Sequence, residues 1–62
     1  MEITVDGRKT KVAGASDVAD LLVKLKLNSE ETLVKVNGRL APNGAKISPM
    51  DDVKVMRVIF GG

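Results

Sequence analysis

Hydrophobic and polar positions alternate through the first twelve residues. Met1, Ile3 and Val5 are separated by Glu2 and Thr4, and a period of two predicts a half-buried strand. Asp6-Gly7 follows, a tight hairpin signal. Residues 9–12 then read as the return strand, with Thr10 and Val12 on one face and Lys9 and Lys11 on the other. After Ala13-Gly14-Ala15 the period changes. Val18, Leu21, Leu22 and Leu25 fall at i, i+3, i+4 and i+7, one face of a helix. Ser16 is the expected N-cap, its hydroxyl accepting from a free amide of the first turn. Asp17 and Asp20 near the start, and Lys24 and Lys26 near the end, suit the helix dipole. Asn28 is the expected stop, giving a helix of about three turns over residues 16–27.

Residues 28–31 form a polar connection, and the alternation then resumes. Residues 32–36 predict a third strand with Val34 and Val36 inward and Lys35 outward. Asn37-Gly38 is the strongest short hairpin signal in the chain, of type I′. It predicts a short return strand over residues 39–41 with Leu40 inward, ended by Pro42. Ile47 is expected to plug the core beneath the loop over residues 43–52, and a final strand begins at Val53 with Val53 and Val55 inward. A helix apolar on one side only, placed between the second and third strands, must cross one face of a sheet. The expected architecture is α+β, a single sheet under a single helix. The other face is solvated, carrying Glu2, Lys9, Lys11, Lys35 and Lys54.

The final strand carries a conflict of parity. If Val53 and Val55 face the core, Arg57 does too, and a core this small cannot take an unpartnered cation. The chain is therefore expected to leave the sheet near Met56 or Arg57. Val58, Ile59 and Phe60 then lie outside the core as an apolar binding segment. A strand that continues and buries some of them is the competing expectation. Met56 falls on the outer face beside Lys54, and methionine adapts readily to partner surfaces. Flanked by Lys35, Lys54 and Arg57 it is a candidate docking patch, the plainer account being an ordinary wet sheet face. The sequence then closes in Gly61-Gly62. Two glycines in those two positions arise by chance about once in 200 chains. They leave a slim backbone able to enter a narrow site.

Composition narrows the chemistry. Sixty-two residues make one domain, near the lower limit for folding without help. There is no cysteine and no histidine, which removes disulfides, thiolate metal sites, a cysteine nucleophile and the commonest general base. Ten basic residues against eight acidic ones give +2, ordinary surface charge. Phe60 is the one aromatic residue, so the stacking platforms of single-strand nucleic-acid binding are missing and no direct nucleic-acid partner is expected. No segment is apolar enough for a membrane span or signal peptide. A cytoplasmic monomer is expected. Neither a P-loop nor G-x-G-x-x-G occurs. Asp17 and Asp20 belong to the helix start, and Glu30-Glu31 and Asp51-Asp52 lie in loops. With no catalytic constellation, cofactor site or metal site, the chain is expected not to be an enzyme.

The hairpin of residues 1–12, the helix of 16–27, the turn Val34-Lys35-Val36-Asn37-Gly38-Arg39 and the terminal Gly61-Gly62 together resemble the ubiquitin-like β-grasp proteins over the whole length. The stretch Val36-Asn37-Gly38-Arg39-Leu40-Ala41-Pro42 and the small size resemble the sulfur carriers of the ThiS and MoaD type. The ending from Val53 to Gly62 is most similar to the small archaeal modifiers and their Urm-type relatives. The chain is shorter than typical molybdopterin-synthase small subunits. The resemblance implies a ubiquitin-like β-grasp, one mixed sheet of four to five strands in the order ββαββ with a short extra strand. It divides the chain into a domain over residues 1–57 and a flexible tail over 58–62. It further implies that an adenylating enzyme of the ubiquitin-activating type, which supplies the ATP site, activates the carboxylate of Gly62, with Gly61 as spacer. A sulfur donor then converts it to a thiocarboxylate for tRNA thiolation or thiamine thiazole synthesis, or a target lysine takes it in an isopeptide bond. Met56, Arg57, Val58, Ile59 and Phe60 are the expected contacts to the partner. The alternative is a β-grasp adaptor module whose terminus is never activated.

Overall fold

In a computed structural model, which describes residues 1–58, the first strand β1 (Glu2–Val5) and the second, β2 (Arg8–Lys11), form an antiparallel hairpin in which Val5 faces Arg8 and Glu2 faces Lys11. Its turn is Asp6-Gly7, with φ of +50° and +82°. Both central residues are left-handed, the requirement of a type I′ turn. Helix α1 (Val18–Leu25) follows, then a single 3₁₀ turn (Ser29–Glu31), β3 (Thr32–Val36), β4 (Arg39–Leu40) and β5 (Val53–Arg57). The sheet runs β2-β1-β5-β3-β4. The last strand is therefore the central one, parallel to β1 and antiparallel to β3.

The helix begins one residue later than Ser16 implies. Asp17 is the N-cap, its carboxylate accepting from the Asp20 N–H at 2.8 Å, while the Asp20 carboxylate accepts from the Ser16 N–H at 3.2 Å. The two aspartates thus satisfy amides on both sides of the helix start, a reciprocal arrangement that leaves the serine hydroxyl no capping role. The loop after β4 completes the cap. The N–H groups of Val18 and Ala19 donate to the carbonyls of Ala45 and Asn43 at 3.0 and 2.9 Å. The helix stops at Leu25, before Asn28, because Lys26 turns left-handed with φ +59° and the Leu27 N–H reaches back to the Leu22 carbonyl at 2.9 Å. Asn28 instead caps the 3₁₀ turn, its side chain accepting from the Glu30 N–H.

The core lies between the helix and one sheet face. Val18, Leu21 and Leu22 meet Ile3, Val34, Val53 and Val55, with Ala15 and the expected plug Ile47 closing the edge. Thr32 is the one buried polar residue among those described, and its hydroxyl donates to the Asn28 carbonyl at 2.7 Å. Leu40 is not part of this core; it is 65% exposed. The two-residue turn at Asn37-Gly38 fixes the register, so that Leu40 sits directly across from Lys35 and shares its outward face.

Candidate functional site

The described candidate site residues lie on the outer sheet face and at the end of β5. One cross-strand row passes over all five strands in the order Lys9, Thr4, Lys54, Lys35, Leu40. Three ammonium groups share this row, and like charges directly opposite one another destabilise a sheet. Among the described residues the ion pairs are Lys24–Asp20 and Arg57–Asp6, so no carboxylate neutralises the lysine row. Beside it the register sets Leu33 against Met56. Leu33 is 45% exposed and Met56 half-buried. A small apolar contact flanked by unneutralised lysines thus lies on the outer sheet face.

Met56 lies where parity placed it, on the face of Lys54. Arg57 is the last residue of β5, so the strand ends where the charge conflict suggested it would. The conflict is resolved without burial. Arg57 is exposed, and its Nε donates to the Asp6 carboxylate at 2.6 Å. The Arg57 backbone N–H donates to the same carboxylate at 3.0 Å, and the Val58 N–H donates to the Glu31 carbonyl at 2.7 Å. An open hollow of about 590 Å³ lies beside this point, lined by Lys26, Leu27, Glu31, Arg57 and Val58 among others. Ile59, Phe60, Gly61 and Gly62, the remaining expected site residues, lie outside the described residues.

Nothing among the described residues is arranged for catalysis. No group of His, Cys, Asp or Glu is placed to hold a metal ion there. The carboxylates with altered acidity are all held below the ordinary aspartate value by hydrogen bonds. For Asp6 the first cause is the Arg57 backbone N–H, then the Arg57 guanidinium. For Asp20 it is the Ser16 backbone N–H, then Lys24, and for Asp51 the Ser48 backbone N–H, then the Asn37 side-chain amide. A carboxylate more acidic when folded contributes stability above its unfolded pKa, and that contribution is lost as pH falls through the folded value. Thermal melts are therefore expected to be flat in this respect near neutrality and to shift downward below about pH 4. Melts recorded from pH 7 to pH 2 check this, and loss beginning near pH 6 would contradict it.

A five-stranded mixed sheet in the order β2-β1-β5-β3-β4 with one covering helix is the β-grasp architecture of ubiquitin-like proteins. The sequence matches the small archaeal modifier protein 2 family over residues 1–59, and the chain belongs to that family. Among solved structures it is similar to the thiamine biosynthesis protein ThiS from Geobacter metallireducens, with 29% identity, all of both chains covered and a TM-score of 0.66. No curated protein matches the chain significantly. The protein is a ubiquitin-like sulfur carrier or modifier in the broad sense and is not itself an enzyme. The sequence reading missed Asp6, which it used only as a turn residue. The signal available was Arg57, a cation that parity forced toward the core and that needed an acidic neighbour.

Proposed function

We propose that the working group of this protein is the α-carboxylate of Gly62, carried to a partner on a slim di-glycine end and activated there. The observation that carries this reading is the course of β5. The central strand ends at Arg57, five residues before Gly62 in the sequence, with its end tied to both neighbouring segments beside a sheet face with unneutralised lysines.

A carboxylate is a poor acyl donor and must be activated. On an adenylating enzyme of the ubiquitin-activating type, a Gly62 carboxylate oxygen attacks the α-phosphorus of ATP and pyrophosphate leaves. The acyl carbon of the adenylate is then open to attack. A donor sulfur at the oxidation level of hydrosulfide displaces AMP and leaves a terminal thiocarboxylate. Alternatively, a lysine amine displaces AMP, loses a proton and forms an isopeptide bond. The thiocarboxylate suits sulfur delivery to tRNA or to the thiamine thiazole, and the amide suits protein modification. Glycine at positions 61 and 62 places no Cβ in the enzyme's channel. The ATP site and any catalytic base belong to the partner.

Docking is assigned to Met56 and Leu33 with Lys35 and Lys54 around them, continued by Arg57, Val58, Ile59 and Phe60. The acceptor is an apolar spot on the activating enzyme rimmed with carboxylates, because opposite charges steer encounter and fix register. Met56→Asp is expected to lower kcat/KM for chain-dependent ATP–pyrophosphate exchange at least about 10-fold, with the melting temperature nearly unchanged. A large drop in melting temperature would instead make Met56 a core residue. Exchange that never depends on this chain, with the cognate enzyme present, would overturn the whole reading.

A further inference from the structure

The β1–β5 ladder is short. Its register pairs are Thr4 with Lys54 and Val5 with Val55, after which β1 turns away at Asp6-Gly7. The Asp6 N–H still reaches the Val55 carbonyl at 2.8 Å. Beyond that, Arg57 has no β1 backbone acceptor for the N–H that points to this side. The Asp6 carboxylate takes that place. It accepts the Arg57 N–H at 3.0 Å and, with its other oxygen, the Arg57 Nε at 2.6 Å. A side chain thus supplies the last rung of the sheet on this side. On the other side the rung is main chain, with the Val58 N–H on the Glu31 carbonyl.

The second I′ turn provides an internal comparison. Asn37, with φ +54°, occupies the position in its turn that Asp6 occupies in the first. Its side-chain oxygen accepts the Asp52 N–H at 2.9 Å, and its own N–H donates to the Asp52 carbonyl at 2.7 Å. The two left-handed turn residues therefore staple the two ends of the same strand: Asn37 where the chain enters β5, Asp6 where it leaves. Asparagine and aspartate serve this turn position equally well. The difference is the partner. The staple at the exit is charged and holds an arginine as well as an amide.

We propose that Asp6 is a positioning residue for the C-terminal segment: its carboxylate, bonded to the Arg57 amide and guanidinium, fixes the point and direction in which the chain leaves the sheet. Its role in activation rests on the function proposed above; the latch itself rests only on the contacts of Asp6. An anchored exit fixes where residues 58–62 start relative to the Leu33–Met56 surface, so that part of the ordering cost is met before binding.

The test uses trypsin, for which Arg57 is itself the cleavage residue. While the guanidinium is held by Asp6 and the Arg57 and Val58 amides are bonded, the 57–58 bond is cleaved only after local opening. Asp6→Gly removes the carboxylate without straining the left-handed position, and Asn37→Gly makes the same change at the entry end. The initial rate of loss of residues 58–62, followed by mass spectrometry on the full chain, is expected to rise about 5-fold in Asp6→Gly. Asn37→Gly, compared at an equal melting-temperature offset, should stay within about 2-fold of the parent. Equal rises in both variants would show general loosening and overturn the proposal, as would no rise in either. Should Asp6→Gly fail to fold, Asp6→Asn keeps the turn and removes the charge, and a smaller rise confined to the 57–58 bond is expected. A second readout uses the activating enzyme, where Asp6→Asn should raise KM for the chain with kcat held within about 2-fold. An unchanged KM would remove the positioning role. If no enzyme activates even the parent chain, the proposed function fails, while the trypsin contrast still decides the latch.

Discussion

Leu21→Ala is expected to leave the domain unfolded or barely folded at 25 °C. Leu21 is completely buried, at the centre of the helical face that meets Ile3, Val34, Val53 and Val55. Truncating a buried leucine removes its transfer energy and leaves a cavity, a loss of about 2–5 kcal/mol. A domain of this size has one small core, which rarely supplies more than about 3–5 kcal/mol. The two figures are comparable, so this one substitution consumes most or all of the stability. Circular dichroism during heating should show no cooperative transition above room temperature. Val23, two residues along the same helix but 73% exposed, is the control, and Val23→Ala should change stability by no more than about 0.5 kcal/mol. A loss below about 1 kcal/mol for Leu21→Ala would mean that the helix contributes far less to the core than its burial implies.

The second large effect concerns function with no change in fold. Gly61→Leu, or deletion of Gly62, is expected to reduce activation to background while the melting temperature stays within about 2 °C of the parent. The described core residues and hydrogen bonds all lie within residues 1–58, so neither change removes a contact among the described residues. Under the function proposed above, a leucine side chain adds bulk where the carboxylate would approach the phosphate in line, and misplacement of about 1 Å can cost about 100-fold in rate. Chain-dependent ATP–pyrophosphate exchange, measured beside a thermal melt of each variant, separates the two quantities. A folded Gly61→Leu protein that is activated at the parental rate would mean that position 61 never enters a confined site.

Much of the fold was legible because its signals are local. The period of two in Met1-Ile3-Val5 and the i, i+3, i+4, i+7 spacing of Val18, Leu21, Leu22 and Leu25 depend on neighbouring residues alone, and both describe faces that pack into the core, with Met1, Val5 and Leu25 at its partly buried margin. Asp6-Gly7 and Asn37-Gly38 gave the turns for the same reason. Leu40 reads as inward on hydrophobicity alone, but the two-residue turn sets Lys35 opposite residue 40, and an outward lysine forces an outward leucine. Ser16 lost the cap to Asp17 because the choice depends on where the loop over residues 42–47 docks, a contact between segments far apart in sequence. The candidate site was legible only in part. Parity identified Met56 as outward and Arg57 as a problem, but the solution, Asp6, lies fifty-one residues away in sequence. Only the parallel placement of β5 beside β1 brings the two together. The lysine row likewise exists only once the strand order is known.

The most direct measurement on the central claim is the intact mass of this protein after incubation with its cognate activating enzyme, ATP and a sulfur donor. Exchange of one carboxylate oxygen for sulfur should make the chain about 16 Da heavier, with fragmentation assigning the added mass to Gly62 and with no gain when ATP is omitted. An unchanged mass under those conditions, or a gain located anywhere other than Gly62, would contradict the assignment of the C-terminal carboxylate as the group that carries the sulfur.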